Sequence, residues 1–521
     1  MNHNFKIYFL LCLTSVYLQA NDVLASITTD MKHFDNIATI TKQNERYQPY
    51  IISVFKNKEL EKLGISNLKE ALLLVPGIDM ATDNFNNQTP ILRGSNPFAY
   101  GQSKLFIDGV LVNNLFFDSY SEYLYMPIDM IKRIEVIRGP GSKTNGTSAY
   151  AGSIHVITYA EDFNNFAGNN KIVFKYGSYN YRMGGFVQNY KRKDFKTHID
   201  FYYQQDDKKI SSGADGPSQG VLGANNVGLS QSGDAPLWIK DYSLGFSVKY
   251  KNFSLKARML NHKQGSAYGI NLALPQQSDR VKLPSYYSEL GYTKKVDDVK
   301  IDIKAGVKYD AFDSKAKLVP NNLVLGSVVF TDGVYGEHYA KQRVLYNSGY
   351  LEYSAIKKHH ITVGYKIMQE KTIAMTSKLS NRATGDVGLV DYTETLPFFD
   401  KNAKREVYTA SVQDKFHFND KLSFLYGFNY EQTSLKDAGF EPRVSMVYQK
   451  DLKNIFKAMY SRSHRNPSWQ EMFTKNNRAR VGNTELEPEK VNSYEVAYIR
   501  NFSDDTYLQS NLFYLANKNQ I

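Results

Sequence analysis

From about residue 170 the chain alternates apolar and polar residues with a period of two. In "VKIDIKAGVKYD", Val299, Ile301, Ile303, Ala305, Val307 and Tyr309 fall on one face of a strand, and Lys300, Asp302, Lys304, Gly306, Lys308 and Asp310 on the other. In "LSFLYGFNYE", Leu422, Phe424, Tyr426, Phe428 and Tyr430 oppose Ser423, Gly427, Asn429 and Glu431, with Leu425 the one exception. A soluble sandwich accepts such a pattern once or twice, with the charged face in water. Here it recurs, as in "NFSLKARML" and "YTASVQDKFHF", and predicts roughly fifteen strands of about ten residues each. No helical periodicity interrupts them.

The connections between these strands alternate in length. Short ones are predicted at Lys191 to Asp194, near Tyr250, at Lys294 to Asp298, at Ile356 to His359 and at Phe418 to Lys421. Long ones run from Asp207 to Ala235, Gly265 to Arg280, Asp313 to Gln342, Thr372 to Lys404 and Ser463 to Glu489. An up-and-down barrel in an outer membrane has short turns on one rim and long loops on the other, because only the outer rim has partners to reach. The fold expected is therefore a transmembrane antiparallel β-barrel.

The residues before the barrel read as a compact mixed α/β unit. "NKELEKLG" and "NLKEALLLV" have helical patterns, the second with Asn67 and Glu70 at capping-box positions and Pro76 and Gly77 as its stop. "KLFIDGVLV" reads as a hairpin turning at Asp108 and Gly109. "IKRIEVIRG" and "SIHVIT" are apolar enough for inner strands. A separate soluble domain is one reading. The other is a plug, since a barrel of more than about twenty strands has a lumen that must be blocked. On that reading the charged strand faces look inward.

Composition fits a membrane protein that crosses with strands. Hydrophobic residues are 42% of the chain and mean hydropathy is −0.45, and beyond the N-terminus no apolar run of about eighteen residues occurs. The 39 Tyr and 30 Phe against 2 Trp suit interfacial girdles, although all-β proteins are rich in aromatics in general. "MNHNFK" followed by "IYFLLCLTSVYL" and a small-residue site ending at Ala20 or Ala25 reads as a signal peptide over 1–25. The only cysteine, Cys12, lies within it, so the exported chain has no disulfide and no thiolate metal site.

Enzymatic readings find no motif. "GPGSKT" has Ser142 where a phosphate-binding loop needs Gly before Lys143, and Ile137 where the loop's first Gly belongs. Neither a serine elbow nor a His-Glu-x-x-His helix is present. No enzyme, cofactor, metal site or nucleic-acid partner is expected.

Several stretches carry a family resemblance. "LGISNLKEALLLVPGIDM", "LRGS", "LFIDGVLV" and above all "IKRIEVIRGPGSKTNGTSAYAGSIHVIT" resemble the plug of TonB-dependent outer-membrane receptors, siderophore receptors in particular. "ASVQDKF", "EPRVSMVY", "SRSHRNPSWQEMF" and "GNTELEPEKVNSYEVAY" resemble barrel strands of that family in the expected order. One departure is Asn145, where the family usually has Tyr before Gly146. The resemblance implies a leader over 26–46, a plug over 47–160 and a barrel over 168–521. The family's barrel has about 22 strands, so the end at "LFYLANKNQI" is expected to leave about seven strands missing and this chain incomplete at its C-terminus.

The resemblance also implies functional residues. Gly139, Pro140, Gly141, Gly146 and Gly152 mark tight turns in the plug. Arg93, Glu135 and Arg138 are expected as charges held between plug and wall, in pairs that fix a register without adding much stability; ordinary surface ion pairs are the alternative. "DNIATIT" (Asp35, Asn36, Ile37, Ala38, Thr39, Ile40 and Thr41) is expected to be the TonB box, an extended segment that adds as a strand to the TonB protein of the inner membrane. A simple leader to the plug is the other reading.

The solute implied is a ferric siderophore, with cobalamin, haem or another metal chelate as alternatives in the same family, and a surface protein that binds without transporting as the rival from outside that class. Plug loops carrying Phe85, Phe98, Tyr100, Phe116 and Phe117 are expected to touch ligand, or else to pack the plug against the wall. His338, placed in a long loop, is the exposed histidine of interest. The formal charge of +12 favours an anionic ligand and the phosphates of outer-membrane lipid. Haem receptors of the family carry a histidine between the boxes that resemble "HRNP" and "GNTEL"; here His464 sits at the front edge of the first and none follows before Gly482. His359 and His360 fall on a short turn and are not expected to bind metal.

Overall fold

The computed structural model describes residues 48–521, leaving aside 97–99, 141–148, 162–168, 213–232, 270–273, 437–438, 452, 478–480 and 504–505. The leader, with Asp35 to Thr41, lies outside the described residues, as do the signal peptide, Phe98, Gly141 and Gly146.

The first unit holds seven strands: β1 (Ile51–Lys56), β2 (Ile78–Thr82), β3 (Gln88–Leu92), β4 (Ser103–Ile107), β5 (Val110–Leu111), β6 (Ile131–Arg138) and β7 (Gly152–Thr158). Five form one sheet in the order β1-β6-β7-β4-β5, with β4 and β7 parallel, while β2 and β3 make a separate hairpin. Two short helices, α1 (Asn57–Lys62) and α2 (Leu68–Leu72), lie between β1 and β2. The Asn67 side chain accepts the Glu70 amide at 3.0 Å and caps α2, and the Glu70 carboxylate accepts the Ser66 amide at 2.7 Å. Asp108 (φ 49°) and Gly109 (φ 85°) turn the β4–β5 hairpin, as a two-residue loop with positive φ at both positions requires. The Asp108 carboxylate then accepts both the amide and the hydroxyl of Thr158, at 2.8 and 2.7 Å, which fastens the hairpin to the end of β7. Leu60, Leu68, Leu72, Leu105, Ile107, Ile134, Val136, Ile154 and Val156 build the core beneath.

Fifteen further strands make one large sheet: β8 (Lys171–Gly177), β9 (Tyr181–Arg192), β10 (Phe195–Gln205), β11 (Ile239–Tyr250), β12 (Phe253–Gly265), β13 (Arg280–Val296), β14 (Val299–Val319), β15 (Val334–Tyr353), β16 (His359–Ser380), β17 (Lys404–His417), β18 (Leu422–Thr433), β19 (Gly439–Gln449), β20 (Asn454–Arg465), β21 (Glu489–Asn501) and β22 (Tyr507–Lys518). Each pairs with the next in chain order, antiparallel throughout, and the short strand Leu389–Asp391 adds to β16. Strands β8 and β22 stand at the two ends of this order. Lys175 of β8 pairs with Asp129 of the first unit, and the Arg93 guanidinium lies 4.5 Å over the Phe513 ring of β22. With intermediate strands touching that unit as well, the sheet curves around it as a wall around a plug.

The face assignment holds in β14. Ile303 is 43% exposed on the outer surface, whereas Lys308 and Asp310 are 5% and 2% exposed on the inner one. Short turns gather on one rim, and exposed aromatics including Tyr190, Tyr250, Phe253 and Phe418 line the outer surface just beside them. Two of the expected long loops are shorter than the sequence reading. Strands β14 to β16 run for 21, 20 and 22 residues, beyond the ten or so that cross a bilayer, because paired strands satisfy their own backbone outside the membrane too. His338 therefore lies within β15, partly buried, and not in an exposed loop.

One carboxyl is buried in the plug against its usual charge state. Glu122, 1% exposed, accepts the Asn114 side-chain Nδ2 at 3.2 Å on each carboxyl oxygen, and burial pushes its carboxyl up to about 8. A raised folded value means that its contribution to stability is complete below the ordinary 4.5 and is lost as pH rises through about 8. Thermal or urea unfolding of wild type is expected to lose up to about 4 kcal/mol between pH 5 and 9 relative to Glu122→Gln, which keeps the shape without the proton. Parallel pH profiles of the two proteins would show that Glu122 is not buried in this way.

Candidate functional site

The plug meets the wall through apolar contacts, in which Met183, Leu260 and Tyr287 join its core, and through polar groups, of which Arg93 is the clearest case. It follows β3 with φ 52°, and its guanidinium forks onto Glu495 of β21 at 2.7 and 2.8 Å, with both side chains nearly inaccessible. Ser493 donates to the same carboxylate at 3.0 Å. Gly139, just past β6, closes over this pair: a Cβ there would lie 2.5 Å from the Glu495 carboxylate and 3.2 Å from the Arg93 guanidinium. Its φ of +100° also favours glycine, so this position in the "RGP" run has a local physical reason.

The other two charges expected at the wall have partners within the plug. Glu135 is paired with Arg133 at 2.7 Å, both on β6. Arg138 donates to the Pro76 carbonyl at 2.9 Å and to the Ser53 hydroxyl at 3.2 Å, tying β6 to β1 and to the end of α2. Glu135 and Arg138 lie on opposite faces of β6, and on the face of Glu135 the neighbouring Ile137 packs against Leu425 of β18.

On the opposite side of the lumen β14 supplies the contacts. Asp310 accepts the Leu115 amide at 3.2 Å and the Ser285 hydroxyl at 2.9 Å, and Lys308 donates to the Asn113 carbonyl. Tyr123 reaches the same Ser285 at 3.1 Å. Wall carboxylates and ammonium groups thus serve the unpaired backbone of a plug loop.

A second buried arginine joins three parts of the molecule. Arg465, at the end of β20, donates to Glu489 of β21 at 2.8 Å and to the Tyr100 carbonyl of the plug at 3.0 Å. It also forks onto Glu471 at 2.8 and 3.2 Å. Glu471 belongs to α3 (Trp469–Phe473), a single turn in the long loop after β20 that Ser468 caps by a capping box. The Gln470 amide donates to the Phe116 carbonyl at 2.9 Å, so α3 also rests on the plug directly.

The aromatic residues expected to meet ligand gather at this end of the plug. Phe116 stacks on Phe312 of β14 with centroids 5.0 Å apart, meets Phe117 edge-on at 4.7 Å and touches Phe399 at 5.0 Å. Tyr100 packs on Phe117 at 5.5 Å and donates to Asp83 at 2.5 Å, and Phe85 lies at the cluster's margin. His338 joins through Phe398 at 4.7 Å. Trp469 and Phe473 of α3 close the other side. Five of the six expected residues come together, but Phe116 and Phe117 are each only 5% exposed. Loop and wall aromatics cover them, as the packing alternative anticipates. Phe98 lies outside the described residues.

Beneath this cluster, between the β4–β5 hairpin and strands β13 to β20, lies a cavity of about 1130 Å³, counting space that opens to solvent. Its lining carries six cations, Lys104, Lys304, Lys308, Lys366, Arg405 and Arg465, against four carboxylates, Asp118, Glu289, Glu370 and Glu431. Lys104 pairs with Asp118 at 2.5 Å and Arg405 with Glu370 at 2.6 Å, whereas Lys366 has no carboxylate within ion-pair distance among the described residues. The alternation of β14 foretold inward Lys304 and Lys308; which lysines share one space is set by register across several strands. His464 lines the same space but is held between Glu431 at 3.2 Å and Glu441 at 3.0 Å. On the short-turn rim His359 is paired with Asp414 at 2.6 Å, and His360 lies 3.8 Å from Glu352.

Comparison with known proteins places this architecture. Residues 44–153 match the family model described as TonB-dependent Receptor Plug Domain, and residues 321–521 match the model TonB dependent receptor-like, beta-barrel, together well over half of the chain. The chain is 30% identical over 112 residues to the vitamin B12 transporter BtuB of Vibrio vulnificus, a match over 21% of this chain and 18% of that relative, so it spans about a fifth of that protein's length. A mutant of the ferric enterobactin receptor PfeA of Pseudomonas aeruginosa superposes with a TM-score of 0.62 at 14% identity, over 92% of this chain and 72% of that one. The siderophore receptor PiuA of Acinetobacter baumannii gives 0.63 at 14% identity, over 90% and 72%. The ferric yersiniabactin uptake receptor FyuA of Yersinia pestis gives 0.62 at 14%, over 90% and 72%. At such identities these superpositions speak for the fold.

Removing one partner of a buried, forked ion pair strands the other charge, at a cost of about 3–5 kcal/mol, whereas removing both is far milder. Arg93→Ala and Glu495→Ala are each expected to loosen the plug by about that much, read as protease sensitivity of the β6–β7 region and as a lower unfolding midpoint. The double variant should be closer to wild type than either single one. Additive losses would mean that the two side chains do not depend on each other.

Proposed function

This chain belongs to the TonB-dependent receptors, and on that footing we propose that it acts in the outer membrane as an energised importer of a ferric siderophore. The observation that carries the choice of solute is Lys366 in the lumenal cavity: of the six cations that line it the other five are ion-paired, Lys304, Lys308 and Arg465 with acids beyond the lining, whereas Lys366 has no ion pair among the described residues. Ferric complexes of catecholate and carboxylate chelators are anions, and a cation-rich low-dielectric space favours their entry. The covered aromatic cluster above the cavity is the first surface such a solute meets, and binding there requires the loop aromatics to part from Phe116 and Phe117.

Energy would reach the plug through its leader. Asp35 to Thr41 is proposed as the segment that pairs with TonB by strand addition. The chain enters the plug at the short-turn rim, where the Tyr50 carbonyl accepts Lys457 of β20 at 3.0 Å. Strand β1 is an edge strand of the plug sheet, bonded to β6 alone, and its first pair is Ile51 with Arg138. Tension on the leader would therefore act first beside Gly139, where the Arg93–Glu495 fork is closed over. Polar contacts of this kind exchange for water as they break, so this part of the plug can yield at modest cost.

Cobalamin is the second reading, favoured by the stretch shared with a vitamin B12 transporter. Haem fits less well, because His464 is already held by two carboxylates. Deletion of Asp35 to Thr41 from the protein in its host is expected to abolish uptake of a radiolabelled ferric siderophore and to leave surface binding intact. Undiminished uptake would overturn the energised reading in favour of a surface protein that binds without transporting. Saturable binding of labelled cobalamin in place of every ferric chelate would overturn the choice of solute alone.

A further inference from the structure

The short-turn rim is far more basic than a random surface of this chain. The turns after β9, β11, β13, β15, β17, β19 and β21 form this rim; the first six carry an exposed Lys or Arg in the turn or at its edge, and the last, between Asn501 and Tyr507, carries none. Lys191, Arg192 and Lys193 are consecutive, Lys294 and Lys295 adjoin, and so do Lys357 and Lys358. With Lys251, Lys421, Lys450 and Lys453 the rim shows eleven exposed cations against five exposed acids, Asp194, Asp297, Asp298, Asp420 and Asp451, among the described residues.

The two rims also differ in how their charges are used. On the long-loop side exposed lysines are matched by acids, as in Lys209–Asp234, Lys401–Glu394 and Lys475–Asp400. None of the eleven rim cations has an ion pair among the described residues. Immediately above them on the outer surface stand the exposed rings of Tyr190, Phe195, Tyr250, Phe253 and Phe418, each within three residues of a rim cation in sequence. Interfacial aromatics sit at the level of lipid headgroups, so cations just beyond them reach the phosphates.

We propose that this rim is a docking surface for anionic phospholipid headgroups of the leaflet it faces. Lysine and arginine bind a phosphodiester best where the lipid brings no ammonium of its own, which selects phosphatidylglycerol or cardiolipin over phosphatidylcholine. Spread over six turns, the cations hold several lipids at once as an annulus. The proposal depends on membrane insertion and not on the identity of the imported solute.

Native mass spectrometry of the protein purified from its host's membranes in a neutral detergent tests this, with phosphatidylglycerol and phosphatidylcholine of the same acyl chains added in competition. Wild type should retain phosphatidylglycerol, roughly fivefold over phosphatidylcholine at low salt, and lose the preference as salt rises. The variant Lys191→Gln/Arg192→Gln/Lys193→Gln/Lys294→Gln/Lys295→Gln should lose most of it while taking up solute as before. Neutralising Lys209, Lys401 and Lys475 should change nothing. Equal retention of the two lipids by wild type, or a preference that survives in the five-residue variant, would overturn the proposal. So would release of the lipid by millimolar inorganic phosphate, which would assign the rim to free phosphate. Should the five-residue variant fold poorly, Lys191→Gln/Arg192→Gln/Lys193→Gln alone must lower the preference in proportion.

Discussion

A wall of antiparallel strands satisfies its backbone between neighbours, but a wide one cannot fill its own interior with side chains. That constraint organises the whole molecule. The interior is taken by a unit whose apolar core, built on Leu60, Leu68, Ile134 and Val156, draws in only a few wall residues, Met183, Val187, Tyr202, Leu260, Tyr287 and Val491, so most of the inner face of the wall is released from core duty. It becomes charged instead, and meets the plug through hydrogen bonds such as that from the Leu115 amide to Asp310. Apolar residues move to the outer face, where a bilayer rewards them. The contrast between exposed Ile303 and buried Asp310 on one strand follows from this division alone.

Period two was enough to make that division legible. It gave the strands, their faces and the alternation of short and long connections, because each depends only on neighbours in sequence. The α2 cap at Asn67 and the turn at Asp108 and Gly109 were legible for the same reason. Partners across the lumen were not. Arg93 and Glu495 stand 402 residues apart, and their meeting is fixed by the curvature of the sheet and the seating of the plug. Glu135 and Arg138 look identical to Arg93 in sequence, as charges beside apolar strand residues, yet they find partners inside the plug, Arg133 for Glu135 and the Pro76 carbonyl for Arg138.

The aromatic residues mark a different limit. Phe116 and Phe117 were read as residues of a plug loop, and nothing in their own loop tells whether they face solvent or a roof. The roof comes from Phe312, which continues the alternation of β14 beyond the bilayer, and from Phe398, Phe399, Trp469 and Phe473 in loops without periodicity. His338 was misplaced for a related reason. Strand pairing of β15 with β14 and β16 persists past the length a membrane needs, so a segment rich in Gly and Tyr that reads as loop is held as strand.

The buried charges give the plug a mode of attachment that an apolar interface would not. Arg465 has two carboxylates and a plug carbonyl around it, and one of the carboxylates, Glu471, is carried by α3 in an outer loop. Any displacement of α3 takes Glu471 with it and removes the contact of Gln470 with Phe116 at the same time. A buried guanidinium that loses one of two carboxylates draws harder on what remains, here Glu489 of the wall and the Tyr100 carbonyl of the plug. Apolar packing would have spread such a movement over many small contacts. Directional bonds concentrate it on one plug residue, Tyr100, whose ring packs on Phe117 of the aromatic cluster.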